Sequence, residues 1–123
     1  MKRLVLVAVA AAAFVAPSSA VASRFGSTVT INFTNAAGGA AFFGVVKSVK
    51  RACWRHRAVN LQQSASRDSG YSTIGSGVTT NLDHTWGYAP DPFSAGWYRA
   101  VAPPKQLAKG ACRKAKSPPL GIF

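Results

Sequence analysis

Cys53 and Cys112 are the only thiols in this chain, and both lie downstream of a segment built like an export signal. Met1-Lys2-Arg3 is a short positive stretch, and Leu4 to Ala16 is an apolar run of 13 residues without a charge. Pro17-Ser18-Ser19 breaks a helix there. Ala20-Val21-Ala22 then places small residues three and one positions before a cut between Ala22 and Ser23. That order of parts is what signal peptidase requires. Spanning a bilayer takes about 20 apolar residues, so residues 1–22 are expected to leave as a signal peptide, a retained anchor being the alternative. No later apolar run is long enough to cross a membrane, and no cysteine near the cut suggests a lipid anchor. The thiols then reach an oxidising compartment, where a disulfide persists.

Residues 23–123 suit one domain with a modest core. A Cys53–Cys112 bridge would close a loop of about 60 residues, a constraint of roughly 4 kcal/mol in the chain-entropy view. That is comparable with the whole stability margin of a small domain. Free or intermolecular thiols are the alternative. The charge balance is one-sided, with 15 Lys and Arg against three Asp and no Glu. Losing Lys2 and Arg3 with the leader takes the net charge from +12 to +10. Such a charge favours polyanions, including envelope polymers, lipid head groups or nucleic acid, although it also serves solubility alone. Lys47, Lys50, Arg51, Arg55 and Arg57 flank the first cysteine, and Lys105, Lys109, Arg113, Lys114 and Lys116 flank the second. A bridge would gather both clusters at one end of the molecule.

From Ser27 onward the patterning is that of strands. Thr28 to Thr34 alternates polar with apolar and is rich in β-branched residues, and Ala41 to Ser48 forms a second strand. Arg57 to Leu61 alternates again, with Val59 and Leu61 inward. Ser64 to Gly70 is a polar turn, Tyr71 to Thr80 continues the β pattern, and Trp86 to Ala89 follows a turn at Asn81 to His84. Gly96 to Ala102 is the clearest strand of the second half. Pro103-Pro104 ends it, and a basic loop with one helical turn at Gln106 to Lys109 leads to Cys112. Ala115 to Phe123 forms a last edge strand, limited by Pro118-Pro119. Short strands at this spacing predict an all-β antiparallel sandwich of about seven strands.

The order Val45-x-Lys47-Ser48, Cys53, Arg57-x-Val59-x-Leu61, Ile74-Gly75-Ser76, Thr80 and Trp86 resembles small exported actinobacterial proteins. Gly96-Trp97-Tyr98-Arg99-Ala100-Val101 and Cys112-x-x-Ala115-x-Ser117 extend that resemblance over residues 42 to 117. These proteins carry an immunoglobulin-like or prealbumin-like sandwich, often labelled carboxypeptidase-regulatory-like. The resemblance implies a non-catalytic bacterial module that supports, links or binds, since the carboxypeptidase of the label is a neighbouring domain. Asp83-His84-Thr85-Trp86 lacks the glycine that the family places before the tryptophan, which leaves the turn type and the local register open.

No catalytic residues are expected. Asp68, Asp83 and Asp91 sit in turn contexts, where their side chains bond the local backbone. No glycine elbow surrounds a serine, and the bridge would remove a cysteine nucleophile. His56 and His84 are too few for a zinc site, so neither metal nor cofactor is expected. Trp86 and Tyr98 read as core. Trp97, adjacent to Tyr98, then faces outward. Trp97 and Arg99, with Trp54 and Arg55, form the candidate contact surface, where aromatics among cations could stack on sugars or bases. The expected molecule is a secreted monomer, its partner unnamed beyond a polyanion or envelope component.

Overall fold

The computed structural model describes residues 23–36, 38–79 and 82–123. The leader with Ala22, Ala37, Thr80 at the end of an expected strand, and Asn81 at the start of an expected turn lie outside them. Twelve strands run through the described residues: β1 (Arg24–Phe25), β2 (Thr28–Val29), β3 (Asn32–Ala36), β4 (Gly39–Lys47), β5 (Ala58–Ser64) and β6 (Ser72–Val78), then β7 (Thr85–Tyr88), β8 (Gly96–Ala102), β9 (Lys105–Leu107), β10 (Gly110–Cys112), β11 (Ala115–Lys116) and β12 (Leu120–Ile122). A 3-10 turn at Arg51–Cys53 separates β4 from β5. Among the described residues no helix is long and apolar enough to cross a membrane.

Two antiparallel sheets form the body. In one, β8 is central, pairing with β5 on one edge and with β11 and β12 on the other, while β6 extends the sheet beyond β5. In the other, β4 is central, flanked by β2 and β3 on one edge and β7 on the other. A small third sheet sets β10 between β9, antiparallel, and β1, parallel.

Alternation along the strands decides what meets inside. Phe42 and Val46 of β4, Val59 and Leu61 of β5, and Tyr98, Ala100 and Ala102 of β8 are buried in one cluster with Val29, Trp86 and Ala115. The Phe42 and Tyr98 rings join the sheets, their centroids 4.3 Å apart, and Phe33 and Phe93 pack alongside. Each such ring or aliphatic chain stabilises the fold by about 1.5–3 kcal/mol. Gly44 takes its inward turn between Phe42 and Val46 because the space is already filled. A Cβ there would collide with the Thr30 carbonyl and lie 2.8 Å from the Trp86 indole nitrogen.

The strand count exceeds the expected seven for local reasons. Thr28 to Thr34 is divided at Thr30, whose carbonyl turns out of the ladder to accept the Trp86 indole N–H at 3.0 Å. Its hydroxyl replaces it, accepting the Val45 N–H at 2.9 Å. The Pro118-Pro119 pair splits the last segment into β11 and β12. Between them the Ser117 hydroxyl accepts the Ala100 N–H at 2.8 Å, so the β8 ladder stays satisfied. The expected helical turn at Gln106 to Lys109 is instead the tip of the β9–β10 hairpin, in which Gly110 sits at φ 116°.

The left-open turn before Trp86 is resolved by side chains. His84 adopts φ 49°, the role glycine would have had, and Asp83 accepts hydrogen bonds from the Thr85 N–H and hydroxyl. Cys53 and Cys112 are bridged, with Cα atoms 5.5 Å apart across a sequence separation of 59 residues. The bridge fastens the 3-10 turn to β10. Replacing both cysteines with serine should lower the unfolding free energy by about 4 kcal/mol. Urea titration followed by tryptophan fluorescence measures this, and an unchanged midpoint would contradict the role given to the bridge.

Candidate functional site

β5 is preceded by Arg57, which continues the inward series of Val59 and Leu61 and is 1% exposed. An arginine in that position must find partners for five N–H groups or carry a heavy desolvation cost. It finds them on four segments. Nε and Nη2 donate to the Pro103 carbonyl at 3.2 and 2.9 Å. Nη1 donates to the Cys53 carbonyl at 2.7 Å and to Ser27 Oγ at 3.1 Å, and Nη2 to the Arg113 carbonyl at 2.8 Å. Thr79 closes the backbone below, its hydroxyl accepting the Arg57 N–H at 2.8 Å and donating to the Trp54 carbonyl. Burial pushes the guanidinium pKa down, yet it remains charged because arginine starts so high. Arg57 is thus an internal strut, so this member of the basic cluster flanking Cys53 presents no charge to the surface.

Around this strut the structure places Lys50, Arg51 and Arg55 of the first basic cluster near Lys105, Arg113 and Lys114 of the second. In the small sheet, Arg24 pairs in register with Ala111, and Ala111 with Gln106. The small Ala111 forms the floor of an open groove of about 630 Å³, with Arg24, Lys105, Arg113 and Lys114 around it. Lys50, Arg51 and Arg55 line a shallower hollow of about 350 Å³. Lys105 ties the two, its Nζ donating to the Ala52 and Arg55 carbonyls at 2.9 and 3.0 Å. Its pKa is lowered, first by burial and then by repulsion from Arg57 and Arg55. The groove begins where the described chain begins: the Ser23 carbonyl accepts the Ala111 N–H at 2.9 Å.

The four residues of the expected contact surface fall in two places. Trp54 and Arg55 belong to the basic end. The Trp54 ring is half-buried against the core cluster, 4.9 Å from the His84 ring and 5.9 Å from the Arg51 guanidinium carbon. Trp97 lies towards the opposite end of β8, pairing with Ser64 at the far end of β5, and Arg99 sits at the middle of β8, opposite Gln62. At about 3.3 Å per residue, the length of β5 carries Trp97 roughly 20 Å from the Ala58 end, and Arg99 about 13 Å. Tyr98 points inward, 1% exposed, as the alternation requires. Among the described residues no group of three His, Cys, Asp or Glu is close enough to hold a metal ion.

Sequence reading missed Arg24, Gln106 and Ala111 as groove residues, because pairing of β1 with β10 leaves no local signal. Arg57 had one: it shares the parity of Val59 and Leu61.

Arg57→Met should strand the carbonyls of Cys53, Pro103 and Arg113 inside the protein. Unpaired buried groups cost about 1–3 kcal/mol each, so a loss of at least 3 kcal/mol is expected in chemical unfolding. Arg57→Lys should restore little, lacking the planar fork. Lys105 gives a pH signature. Its folded pKa lies below the unfolded value of about 10.4, so the unfolded chain holds the proton longer. Stability should therefore rise with pH between those two values, relative to Lys105→Met, in paired urea titrations. A difference that stays flat or falls would contradict the lowered pKa.

Compared with known proteins, the chain matches no family model, no curated protein and no solved structure.

Proposed function

We propose that this chain is an exported, non-catalytic interaction module of immunoglobulin-like or prealbumin-like sandwich type. It acts at the cell envelope or in the medium, and its basic end holds an anionic polymer. The observation that carries this reading is the convergence of Arg24, Lys105, Arg113 and Lys114 on one groove, with Lys50 and Arg51 beside it. Like charges held together repel, and a polyanion relieves that repulsion while releasing its own counterions. The facing sheets and the single bridge support the sandwich assignment, and the form of residues 1–22 supports export.

Inorganic polyphosphate is a suitable probe, tested on the secreted chain after leader removal. Four phosphate contacts predict a loss of roughly 50-fold in affinity between about 50 and 200 mM salt. The combined variant Arg24→Gln, Arg113→Gln and Lys114→Gln should flatten that salt dependence. Binding that persists in molar salt, or that ignores the triple variant, would favour recognition of a specific protein instead.

A further inference from the structure

Away from the basic end, the outer face of the β8-centred sheet carries four side chains that brace one another. The Arg99 guanidinium lies over the Tyr71 ring, 4.2 Å from its centroid. The Tyr71 hydroxyl donates to the Arg67 carbonyl at 2.7 Å. The Arg67 guanidinium carbon lies 5.9 Å from the Trp97 ring centroid, and Trp97 stands two residues before Arg99 on the same face of β8. Trp97 pairs in register with Gly121, whose missing side chain leaves room for the indole. A Cβ there would come within 2.9 Å of the ring. Phe123, 84% exposed, meets the indole edge-on at 5.6 Å between centroids.

Arg99 is fixed before any ligand arrives. Its Nε donates to Gln62 Oε1 at 2.7 Å and one of its faces is spent on Tyr71. The two terminal nitrogens have no hydrogen-bond partner among the described residues. That edge is the planar fork that matches a carboxylate with two parallel bonds. The one acid in the cluster, Asp68, pairs with Arg67 at 3.0 Å, leaving the charge of Arg99 unopposed. Beside it lies a row of sugar-compatible donors and acceptors. Gln62 donates to Thr73 Oγ1 at 3.3 Å, and Ser76 donates to Asn60 Oδ1 at 2.7 Å.

We infer that this face binds an acidic glycan, a chain carrying uronic-acid-type sugars. The apolar face of a sugar ring stacks on Trp97, its carboxylate enters the Arg99 fork, and neighbouring hydroxyls meet Gln62, Asn60 and Ser76. Charge complementarity selects the acidic sugar over a neutral one. The flat row suits an extended polymer better than a single sugar. This site is separate from the basic groove, so either can fail without the other.

The probe is the hexamer of galacturonic acid, with the galactose hexamer as its neutral match, in titration calorimetry at about 0.15 M salt. The acidic hexamer should bind at least tenfold more tightly than the neutral one. Arg99→Lys keeps the charge but loses the fork and should weaken binding about tenfold or more. Gln62→Ala, which frees the guanidinium without touching the core, should weaken it in the same direction with an unchanged thermal midpoint. The triple groove variant should leave it unaltered. No binding at millimolar hexamer, equal affinity for both hexamers, or insensitivity to both Arg99→Lys and Gln62→Ala would overturn the proposal. So would loss through the groove variant, or polyphosphate binding that itself depends on Arg99.

Discussion

A full positive charge buried among backbone carbonyls ties four segments of this fold together. Arg57 places its guanidinium where alternation asks for an apolar side chain, and no carboxylate accepts any of its five hydrogen bonds. The carbonyl dipoles of Cys53, Pro103 and Arg113 and the Ser27 hydroxyl together offset its desolvation. Each comes from a different stretch of chain: the start of β2, the 3-10 turn, the exit of β8 and the residue after the disulfide. Removing any one of those stretches leaves donors without acceptors, so the strut makes their positions mutually dependent.

Arg57 and the Cys53–Cys112 bridge together decide where charge collects. The bridge ties the 3-10 turn to β10, which brings Lys50, Arg51 and Arg55 to the same end as Lys105, Arg113 and Lys114, and Lys105 crosses between them on the Ala52 and Arg55 carbonyls. Burial lowers the pKa of Lys105, and repulsion from Arg57 and Arg55 lowers it further. The opposite end of β8 is organised differently: two arginines are spaced by two aromatic rings, and one of them is paired with Asp68. A single small domain thus presents two chemically distinct surfaces, one set by concentrated charge and one by stacked planes.

The central strands could be read from the sequence because one face of each is buried. Gly96–Ala102 matches the observed β8 in full, and β4 (Gly39–Lys47) contains all of the expected Ala41 to Ser48 strand but Ser48. What escaped was decided by partners far along the chain. Thr28 to Thr34 has an unbroken strand pattern, and only the Trp86 indole on the Thr30 carbonyl divides it. The Lys105 to Cys112 segment has little hydrophobic pattern of its own, and becomes a hairpin because β1 pairs with it from the other terminus. The Trp97 and Arg99 pair was visible through alternation with Tyr98. Its distance from Trp54 was not, since alternation fixes a face and says nothing of position along it.

The parallel pairing of β1 with β10 bears on how the chain reaches its final state. Arg24 and Phe25 find their partners only at Ala111 and Cys112. Arg57 likewise waits for Pro103 and Arg113, and Cys53 for Cys112. The β3–β4 and β5–β6 pairs are local, but these three closures are not. Contacts of such long range are slow to form, because loop-closure entropy is spent before they stabilise anything. The N-terminal edge, the 3-10 turn and the bridge therefore all depend on residues 103–113 being in place.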